Sequence, residues 1–407
     1  MKEGVFLYCV PSQKQIPDSE NILLNLYLNA MDLIAKPDPS GLYIHIPFCQ
    51  VKCRYCAFAV FPGLLKQIAR YLEALNKEML FYQNRAIDTI YFGGGTPSIL
   101  SPENWNGIMK NIKSRFILQD NMEITIECNP ENISSELVQS YCEEGVTRLS
   151  LGLQTSDEAL LKKIGRTHSW INFLKAYSLC RNSKLSNLNV DLIFGLPGQT
   201  MENWKQTLKK VLDLRPEHLS MYPLDIENKS AFYFDGVQAD QELQADMYEW
   251  TSEQTALAGY EHYEIFSYSL PDYQCRHNLK YWKNDPCIGI GVSAAGYDGN
   301  QSTQNTDRFW NYIETLESGK SPIINVESLG STDRLREKMM LGLRMKEGLF
   351  FTEEMNSKFG PVLKKLITEG ILQIARDNKE TQRIVSSQKG WLLSNTIYRE
   401  LLIGNEL

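Results

Sequence analysis

Three cysteines, Cys49, Cys53 and Cys56, lie in one short stretch with CxxxCxxC spacing. One tight loop with this spacing can direct three thiolates toward one point. A closed electron-transfer cluster is held by four cysteines, so three thiolates suit a [4Fe-4S] cluster with one open iron. Zinc is the alternative, but it prefers four ligands in paired C-x-x-C spacings, and no Cys or His follows until Cys128. We therefore expect an iron–sulfur cluster.

Several polar and glycine-rich segments farther along the chain could hold a ligand. The glycines of GGGTP, residues 93–97, lack Cβ atoms and leave backbone N–H and C=O groups open to a close guest. Glu127 ends an apolar run, where it either caps the next helix or faces a cavity. Gln154, Arg166 and Asp191 add an amide, a cation and a carboxylate. Each alone is more often a surface or capping residue, so it is their joint placement that indicates a site.

The elements that must position these residues are six β-rich runs with room for one helix between neighbours. This alternation indicates a parallel sheet built from βα units. Six strands are too few for a complete eight-stranded barrel, so we predict an α/β fold with an open, partial (β/α)6 barrel. Sites in such barrels lie at the carboxyl ends of the strands, and we expect each motif there. The six runs are GLYIHIPF, TIYFGGG, MEITIECNP, RLSLGLQ, NLNVDLIFGLP and HLSMYPLDI.

Three segments are predicted along the chain. Residues 1–40 form an N-terminal extension of unassigned role, with one amphipathic helix in DSENILLNLYLNAMDLIA. Residues 41–330 form the barrel, and residues 331–407 form a small helical or winged-helix-like domain. Its predicted helices are STDRLREKMMLGLRM, FTEEMNSKFGPVLKKLITEGIL and WLLSNTIYRELL, and its possible short strands are QRIVSS and GWLLS. Acidic residues accompany the basic ones in this last domain, which favours a packing or partner role over DNA binding.

The composition is that of a soluble intracellular protein. The 407 residues are 43% hydrophobic, and 42 basic and 49 acidic residues give a net charge of −7, so no nucleic-acid partner is expected. The apolar stretch FLYCV near the N-terminus is too short for a signal peptide or a membrane span. An odd number of cysteines, nine, argues against a disulfide framework and for a cytoplasmic location.

The motifs together resemble the radical S-adenosylmethionine (SAM) superfamily, in the branch related to oxygen-independent coproporphyrinogen III oxidase. The resemblance is carried by HIPFCxxKCxYCxF, YFGGGTPS, ECNPE, RLSLGLQT, LxxIGRTH, VDLIFGLPGQT, CRHNLKYW and IGIG. It implies that the open iron binds the amino and carboxylate groups of SAM, and that an electron from the cluster cleaves the sulfonium to a 5′-deoxyadenosyl radical. It also implies SAM contacts at Tyr43, Tyr55, Gly94, Gly95, Thr96, Glu127, Gln154, Arg166 and Asp191.

Within this branch the sequence is most similar to a group of heme chaperones. The decarboxylases carry a further cysteine in a CxxCGC pattern, whereas this chain has Ala57 and Phe58 there, so decarboxylation is not expected. The HNxxxW motif of the chaperones is present as His277, Asn278 and Trp282, with Cys275 just before it. The resemblance implies heme as cargo, recipient hemoproteins as partners and an electron donor for the cluster.

His277 is the candidate heme ligand, because imidazole is a common axial ligand of heme iron, and Trp282 could lie against the macrocycle. In the alternative reading His277 and Asn278 hold a turn while Trp282 packs in a core. Cys275 is the reserve ligand.

Two departures from the family pattern leave other functions open. Ala57 replaces an Asp that is common beside the third cysteine, and Ala295 lies where relatives usually have a histidine. The alternatives are a coproporphyrinogen III dehydrogenase-like enzyme, a radical methylase or cyclopropanase that uses two SAM molecules, and a partner protein with a structural cluster. The oligomeric state and the use of SAM stay open.

Overall fold

The structure is a computed structural model that describes residues 39–376 and 382–403. The helix predicted for DSENILLNLYLNAMDLIA, and with it the extension up to residue 38, lies outside these residues. Over the described ranges, no helix combines the length and apolar character that crossing a bilayer requires.

The strands are numbered in chain order. They are β1 (Ser40–Ile46), β2 (Ala86–Gly94), β3 (Ile117–Cys128), β4 (Arg148–Gln154), β5 (Asn187–Phe194), β6 (His218–Pro223), β7 (Glu261–Glu264), β8 (Ser267–Ser269), β9 (Cys287–Ile290), β10 (Ala295–Tyr297), β11 (Gln301–Asn305), β12 (Ile323–Ser328), β13 (Leu349–Phe350), β14 (Leu372–Arg376) and β15 (Gln382–Ser386).

The helices of the described residues are numbered in the same way. They are α1 (Ile68–Glu78), α2 (Pro102–Arg115), α3 (Ser135–Glu144), α4 (Glu158–Lys163), α5 (Trp170–Arg181), α6 (Met201–Leu214), α7 (Ala231–Phe234), α8 (Gln241–Leu257), α9 (Arg276–Lys283), α10 (Phe309–Glu317), α11 (Ser331–Gly342), α12 (Glu353–Thr368), α13 (Gln388–Leu392) and α14 (Ser394–Ile403). Short 3-10 turns occupy Leu65–Gln67, Met79–Tyr82, Pro97–Ile99 and Pro130–Asn132.

Six parallel strands form the centre of the main sheet in the order β1-β2-β3-β4-β5-β6, which confirms the predicted partial (β/α)6 barrel. The sheet continues beyond both ends of this unit. At one edge β9 pairs in parallel with β1 and is followed by antiparallel β10, β11 and β12; at the other edge β8 and β7 are antiparallel. These edge strands were not predicted, because they are short and carry no βα repeat.

The alternation of side chains along each strand separates two environments. In β1, Leu42, Ile44 and Ile46 are fully buried on the outer face, under the helices. On this face the Trp105 ring of α2 packs on Phe92 of β2 at a centroid distance of 4.6 Å. The inner face is polar and buried, with Thr125 and Ser150 and also Asn189 and His218. The apolar core therefore lies between sheet and helices, and the barrel interior is left for polar side chains.

The C-terminal part has its own sheet, in the order β13-β15-β14, and its own group of buried side chains from Met339 to Leu401. The division at residue 330 remains our proposal. QRIVSS coincides with β15, as predicted, but the prediction of a strand at GWLLS is wrong. Ser387 accepts a hydrogen bond from Gly390 N–H and so caps α13, and Ile397 and Leu401 then present one helical face to the buried group.

Candidate cluster and cofactor site

The three cysteines lie in the loop between β1 and α1, and all three thiols are free and partly exposed. Cys56 N–H donates to the Cys53 carbonyl at 3.1 Å, so one turn holds this pair. Burial raises the pKa of Cys49 and raises that of Cys56 to about 11, and the neighbouring thiols add to both shifts. Three thiolates at this place would therefore need a cationic partner, which bound iron supplies.

No three Cys, His, Asp or Glu side chains in the described part of the chain are placed to hold one metal ion. A [4Fe-4S] cluster makes a different demand, because each of its thiolates binds a different iron. Three neighbouring thiols on one loop fit such a cluster.

A chain of hydrogen bonds surrounds the thiols. Thr96 Oγ1 lies 3.3 Å from Cys49 Sγ and accepts from Asn129 Nδ2 at 3.2 Å. Asn129 Oδ1 accepts from Arg166 Nη2 at 2.9 Å, and Arg166 Nη1 reaches Cys53 Sγ at 3.7 Å. The Nε atom of Arg166 is buried and has no hydrogen-bond partner. A cation with an unused donor beside three thiols fits an anionic group bound next to a cluster.

The triple glycine packs against the start of the cysteine loop. Gly94 has φ +106°, and a Cβ there would lie 2.4 Å from the His45 ring. Gly95 N–H donates to the Ile46 carbonyl and Thr96 N–H to the Phe48 carbonyl, both at 2.8 Å. These N–H groups are therefore used within the protein, and a ligand on this loop would meet carbonyl oxygens instead.

Two carboxylates face the same interior, Glu127 next to the end of β3 and Asp191 three residues before the end of β5. Glu127 accepts from the Tyr91 hydroxyl at 2.8 Å and from Gly94 N–H at 3.1 Å. Asp191 accepts from the Ser150 hydroxyl and from Asn189 Nδ2, each at 2.7 Å. Burial, followed by repulsion from Asp191, raises the pKa of Glu127 to about 7, and burial raises the pKa of Asp191. The pair would favour a cationic ligand between them.

Gln154 ends β4 with φ +70°. A Cβ on Gly152 would lie 2.9 Å from Gln154 Nε2 and 3.1 Å from Arg166 Nη2, so a glycine leaves room for both side chains. Arg166 Nη2 also donates to the Gly152 carbonyl at 2.6 Å. Tyr55 interacts with Cys53 and Arg166, and burial raises its pKa well above the usual value. The structure thus brings these predicted residues together around the cysteine loop.

Tyr43 lies on the inner face of β1, where its hydroxyl is 3.1 Å from His45 Nδ1. His45 Nε2 lies 2.9 Å from the Ala59 carbonyl, and burial lowers the pKa of His45 to about 4. The neutral ring therefore ties β1 to the end of the cysteine loop. His45 was not among the predicted site residues.

Other residues around the site were also missed by the sequence analysis. Asn129 joins Thr96 to Arg166, and Asn189 supports Asp191 while its Oδ1 lies 2.6 Å from His218 Nδ1. A sequence signal exists for both. Residues two apart in a strand or at its end share a face. Asn129 follows Glu127 and Asn189 precedes Asp191 by two positions.

The HNxxxW motif lies elsewhere. It forms α9, at the amino ends of the strands, where Lys280 pairs with Asp88 at 2.9 Å and Glu123 Oε1 accepts from His277 N–H at 2.9 Å. The expectation that every motif lies at the carboxyl ends of the strands is therefore wrong for this one. The Glu123 carboxylate, on the inner face of β3, binds the start of α9 and holds it at this end.

His277 is fully buried, and both its ring nitrogens have neighbours. Nδ1 lies 2.9 Å from Thr89 Oγ1, and Nε2 lies 3.1 Å from the Tyr281 hydroxyl. Burial lowers the pKa of His277 to about 3. In this arrangement a heme iron has no access to the ring, and the assignment of His277 as a ligand stays a prediction that requires α9 to move.

The two other residues of the heme prediction are also engaged. The Arg344 guanidinium lies 4.2 Å from the centroid of the Trp282 ring, which links α9 to the C-terminal part. Cys275 is fully buried, and its thiol lies 3.6 Å from Glu123 Oε1.

Comparison with known proteins agrees with the architecture. Residues 43–211 match the family model of the Radical SAM superfamily. The heme chaperone HemW of Lactococcus lactis subsp. lactis (strain IL1403) is 34% identical over 373 residues, 90% of this chain and 98% of the relative. HemW of Bacillus subtilis (strain 168) is 33% identical over 379 residues, 88% of this chain and 98% of the relative.

A solved structure shares the fold. The radical SAM enzyme coproporphyrinogen III oxidase (HemN) from Escherichia coli superposes with a TM-score of 0.80 at 22% identity and covers 92% of each chain. At this identity the likeness concerns the fold alone. Identity above 30% over nearly the whole of the relatives shows the family: the chain belongs to the radical SAM superfamily and, within it, to the HemW family.

Proposed function

We propose that this protein is a heme chaperone that holds a [4Fe-4S] cluster and SAM, binds heme and passes it to recipient hemoproteins. The observation that carries the cluster and SAM part is the joint geometry of the site. Thr96 lies beside Cys49 and Arg166 beside Cys53, Asn129 joins Thr96 to Arg166, and Glu127 and Asp191 lie on strands of the same interior. The heme part is supported by membership of the HemW family.

The cysteines, Arg166 and Glu127 have different roles in this proposal. Cys49, Cys53 and Cys56 would hold the cluster, which when bound supplies one electron for cleavage of the SAM sulfonium. Arg166 stabilises the Cys53 thiolate and offers its free Nε–H to the SAM carboxylate. Glu127 has a pKa of about 7, and a bound ammonium group would favour its ionised form.

Asp191 and Gln154 would accept hydrogen bonds from the amino group and the ribose hydroxyls of SAM. Asp191 is oriented for this by the Ser150 and Asn189 side chains. Tyr43, Tyr55 and the loop of Gly94, Gly95 and Thr96 complete the pocket that we propose for SAM.

Heme ligation by His277 would require its ring to leave both hydrogen-bonding neighbours, Thr89 of β2 and Tyr281 of the same helix. Neither bond involves a charged partner, so each contributes only about 1 kcal/mol to stability. Movement of α9 would also break its bonds to the charged Glu123, which contribute about 1.5–3 kcal/mol each, so heme binding would have to offset these as well. Coproporphyrinogen decarboxylation is not part of the proposal, because Ala57 and Phe58 replace the extra cysteine.

The test is anaerobic reconstitution followed by heme titration. We expect about four irons per wild-type chain, as one [4Fe-4S] cluster requires, and none in the variant Cys49→Ala, Cys53→Ala, Cys56→Ala. Heme should give a Soret band that shifts or disappears in His277→Ala. His168→Ala, which alters another buried histidine, is the matched control.

Circular dichroism and thermal midpoints of each variant are compared with wild type, so that a loss of heme binding is not mistaken for misfolding. If heme titrations of wild type and His277→Ala superimpose, His277 is not the ligand, and Cys275→Ala is the next variant. A wild-type protein that binds no heme would contradict the chaperone function. Release of carbon dioxide from coproporphyrinogen III, with SAM and reductant, would favour a decarboxylase.

A further inference from the structure

Three segments of the chain meet at Arg54, on the outer side of the cysteine loop. Arg54 N–H donates to the Ile164 carbonyl at 3.0 Å, just after α4, and its carbonyl accepts from Phe232 N–H of α7 at 2.9 Å. The Arg54 side chain pairs with Asp235 at 2.6 Å. The cysteine loop, the end of α4 and α7 therefore form one continuous surface. We call it the Arg54 face: Val51, Arg54, Lys162, Lys163, Tyr233 and Phe234.

The Arg54 face exposes large apolar side chains. Val51 is 52% exposed, Tyr233 41% and Phe234 77%. The Tyr233 and Phe234 rings pack edge to face at a centroid distance of 5.6 Å, so they form one aromatic projection. Aromatic side chains grouped on a surface in this way are typical of protein–protein interfaces.

The charge of this face is basic, although the whole chain has a net charge of −7. Lys162 and Lys163 are exposed, and Lys52 adds a third cation from the loop. Two carboxylates lie nearby: Asp235 pairs with Arg54, and Glu131 lines the adjacent cleft, where it accepts a hydrogen bond from the Thr167 hydroxyl. A basic surface with apolar groups is complementary to a partner with an acidic docking surface.

The same face lies directly over one cluster ligand. A Cβ on Gly165 would lie 3.5 Å from Arg54 Cγ and 3.7 Å from Cys53 Cα, so Arg54 and Cys53 flank the same glycine. A cleft lined by Val51, Cys53, Gly165 and Arg166 opens beside it. On the opposite side, Cys49 faces Thr96 and the barrel interior. Cys53 is thus the cluster ligand that borders the Arg54 face, and its thiol also contacts Arg166 on the cofactor side.

We propose that the Arg54 face is the docking site of an acidic one-electron carrier protein that reduces the cluster. The inference rests on the proposed function, because it requires the cluster at Cys49, Cys53 and Cys56. The carrier loses one electron and the cluster gains one, without transfer of a proton or a group. Electron transfer slows steeply with distance, and this face brings a carrier next to the backbone of Cys53, which Arg54 follows in the chain.

The test uses the reconstituted full-length protein and, as the probe, an acidic plant-type [2Fe-2S] ferredoxin, which is a low-potential one-electron carrier. The rate of cluster reduction is followed by absorbance and EPR, and ferredoxin binding by calorimetry at several salt concentrations. The variants are Lys162→Glu with Lys163→Glu, and separately Phe234→Ser. Lys110→Glu, at an exposed lysine of α2, is the matched control.

Charge reversal should slow reduction by ferredoxin by at least about tenfold and remove most of its salt dependence. Phe234→Ser should weaken ferredoxin binding. Reduction by dithionite, which needs no docking face, and the iron content should stay at wild-type values. Rates with ferredoxin that match those of the control in both variants would overturn the proposal, as would a wild-type protein that ferredoxin neither binds nor reduces.

Failure of the proposed function has a different signature. In that case wild-type protein holds no cluster, and dithionite produces no EPR signal. Ferredoxin binding to the iron-free protein can still be measured by calorimetry, and it tests whether the Arg54 face is a docking site. Weaker binding of the Lys162 and Lys163 variant would support the docking site, and equal binding would contradict it.

Discussion

Asp191 holds its position through two hydrogen bonds from the neighbouring side chains Ser150 and Asn189, each at 2.7 Å. Asn189 is fixed in turn by His218, whose Nδ1 lies 2.6 Å from Asn189 Oδ1. A carboxylate held in this way is oriented before a ligand arrives. Little conformational entropy is then lost when the ligand binds.

Replacement of Asp191 by Ala should therefore weaken SAM binding. A hydrogen bond to a charged group contributes about 1.5–3 kcal/mol, so the dissociation constant should rise on the order of tenfold or more. Calorimetry with the reconstituted protein measures the affinity, and iron analysis checks that the cluster is intact. Asp213→Ala, at an exposed aspartate of α6, is the control. Equal SAM affinity in Asp191→Ala and wild type would remove Asp191 from the site.

Helix α9 depends on one buried carboxylate at its start. Glu123 accepts hydrogen bonds from Arg276 N–H at 3.0 Å and from His277 N–H at 2.9 Å. Both donors belong to the first turn, which has no partners within the helix. The negative charge also stabilises the positive end of the helix dipole. A residue more than 150 positions earlier in the chain thus caps the HNxxxW helix.

Glu123→Gln should lower the free energy of unfolding by about 2 kcal/mol, because the amide keeps the size but loses the charge at these two donors. Urea denaturation followed by tryptophan fluorescence measures the change. Glu136→Gln is the matched control, since Glu136 is an exposed carboxylate in the first turn of α3, and it should change little. If the two variants were equally stable, Glu123 would not be the cap of α9.

At the scale of the whole molecule, side chains of the C-terminal part pack against the barrel. The Trp391 ring of α13 lies 4.4 Å from the His262 ring of β7, and the Tyr268 ring of β8 stacks on His262 at 4.0 Å, both measured between ring centroids. His262 Nε2 lies 3.2 Å from the Ile265 carbonyl. Burial, and to a smaller extent Lys346, lowers the pKa of His262 to about 4.

This contact should make stability depend on pH. An unfolded histidine titrates near pH 6.5. Between pH 6.5 and 4 the unfolded chain binds a proton at His262 that the folded protein does not, so the free energy of unfolding falls as pH falls. In His262→Gln this pH dependence should be shallower by about one proton in that range. Denaturation midpoints from pH 8 to 4 at constant ionic strength test this, and parallel curves for the two proteins would contradict it.

The sequence alone determined the local chemistry and the repeating architecture. The CxxxCxxC spacing concentrates three thiols on one loop, whatever surrounds it. Six apolar runs separated by helix-length segments can bury their side chains only as a parallel sheet covered by helices, and the structure has that sheet. Strand ends of a parallel sheet meet at one edge, so Glu127, Gln154 and Asp191 could be grouped without coordinates.

Only the tertiary structure decided where the remaining parts lie. The helix of the HNxxxW motif has its place set by Glu123, and the helical segment at GWLLS has its place set by the packing of Trp391 on His262. The neighbours of His277 and the proximity of Arg54 to Cys53 likewise depend on contacts between distant segments. The local sequence contains the periodicity of helices and strands and the spacing of motifs. The positions of these segments depend instead on contacts between residues far apart in the chain, which form only when the chain folds.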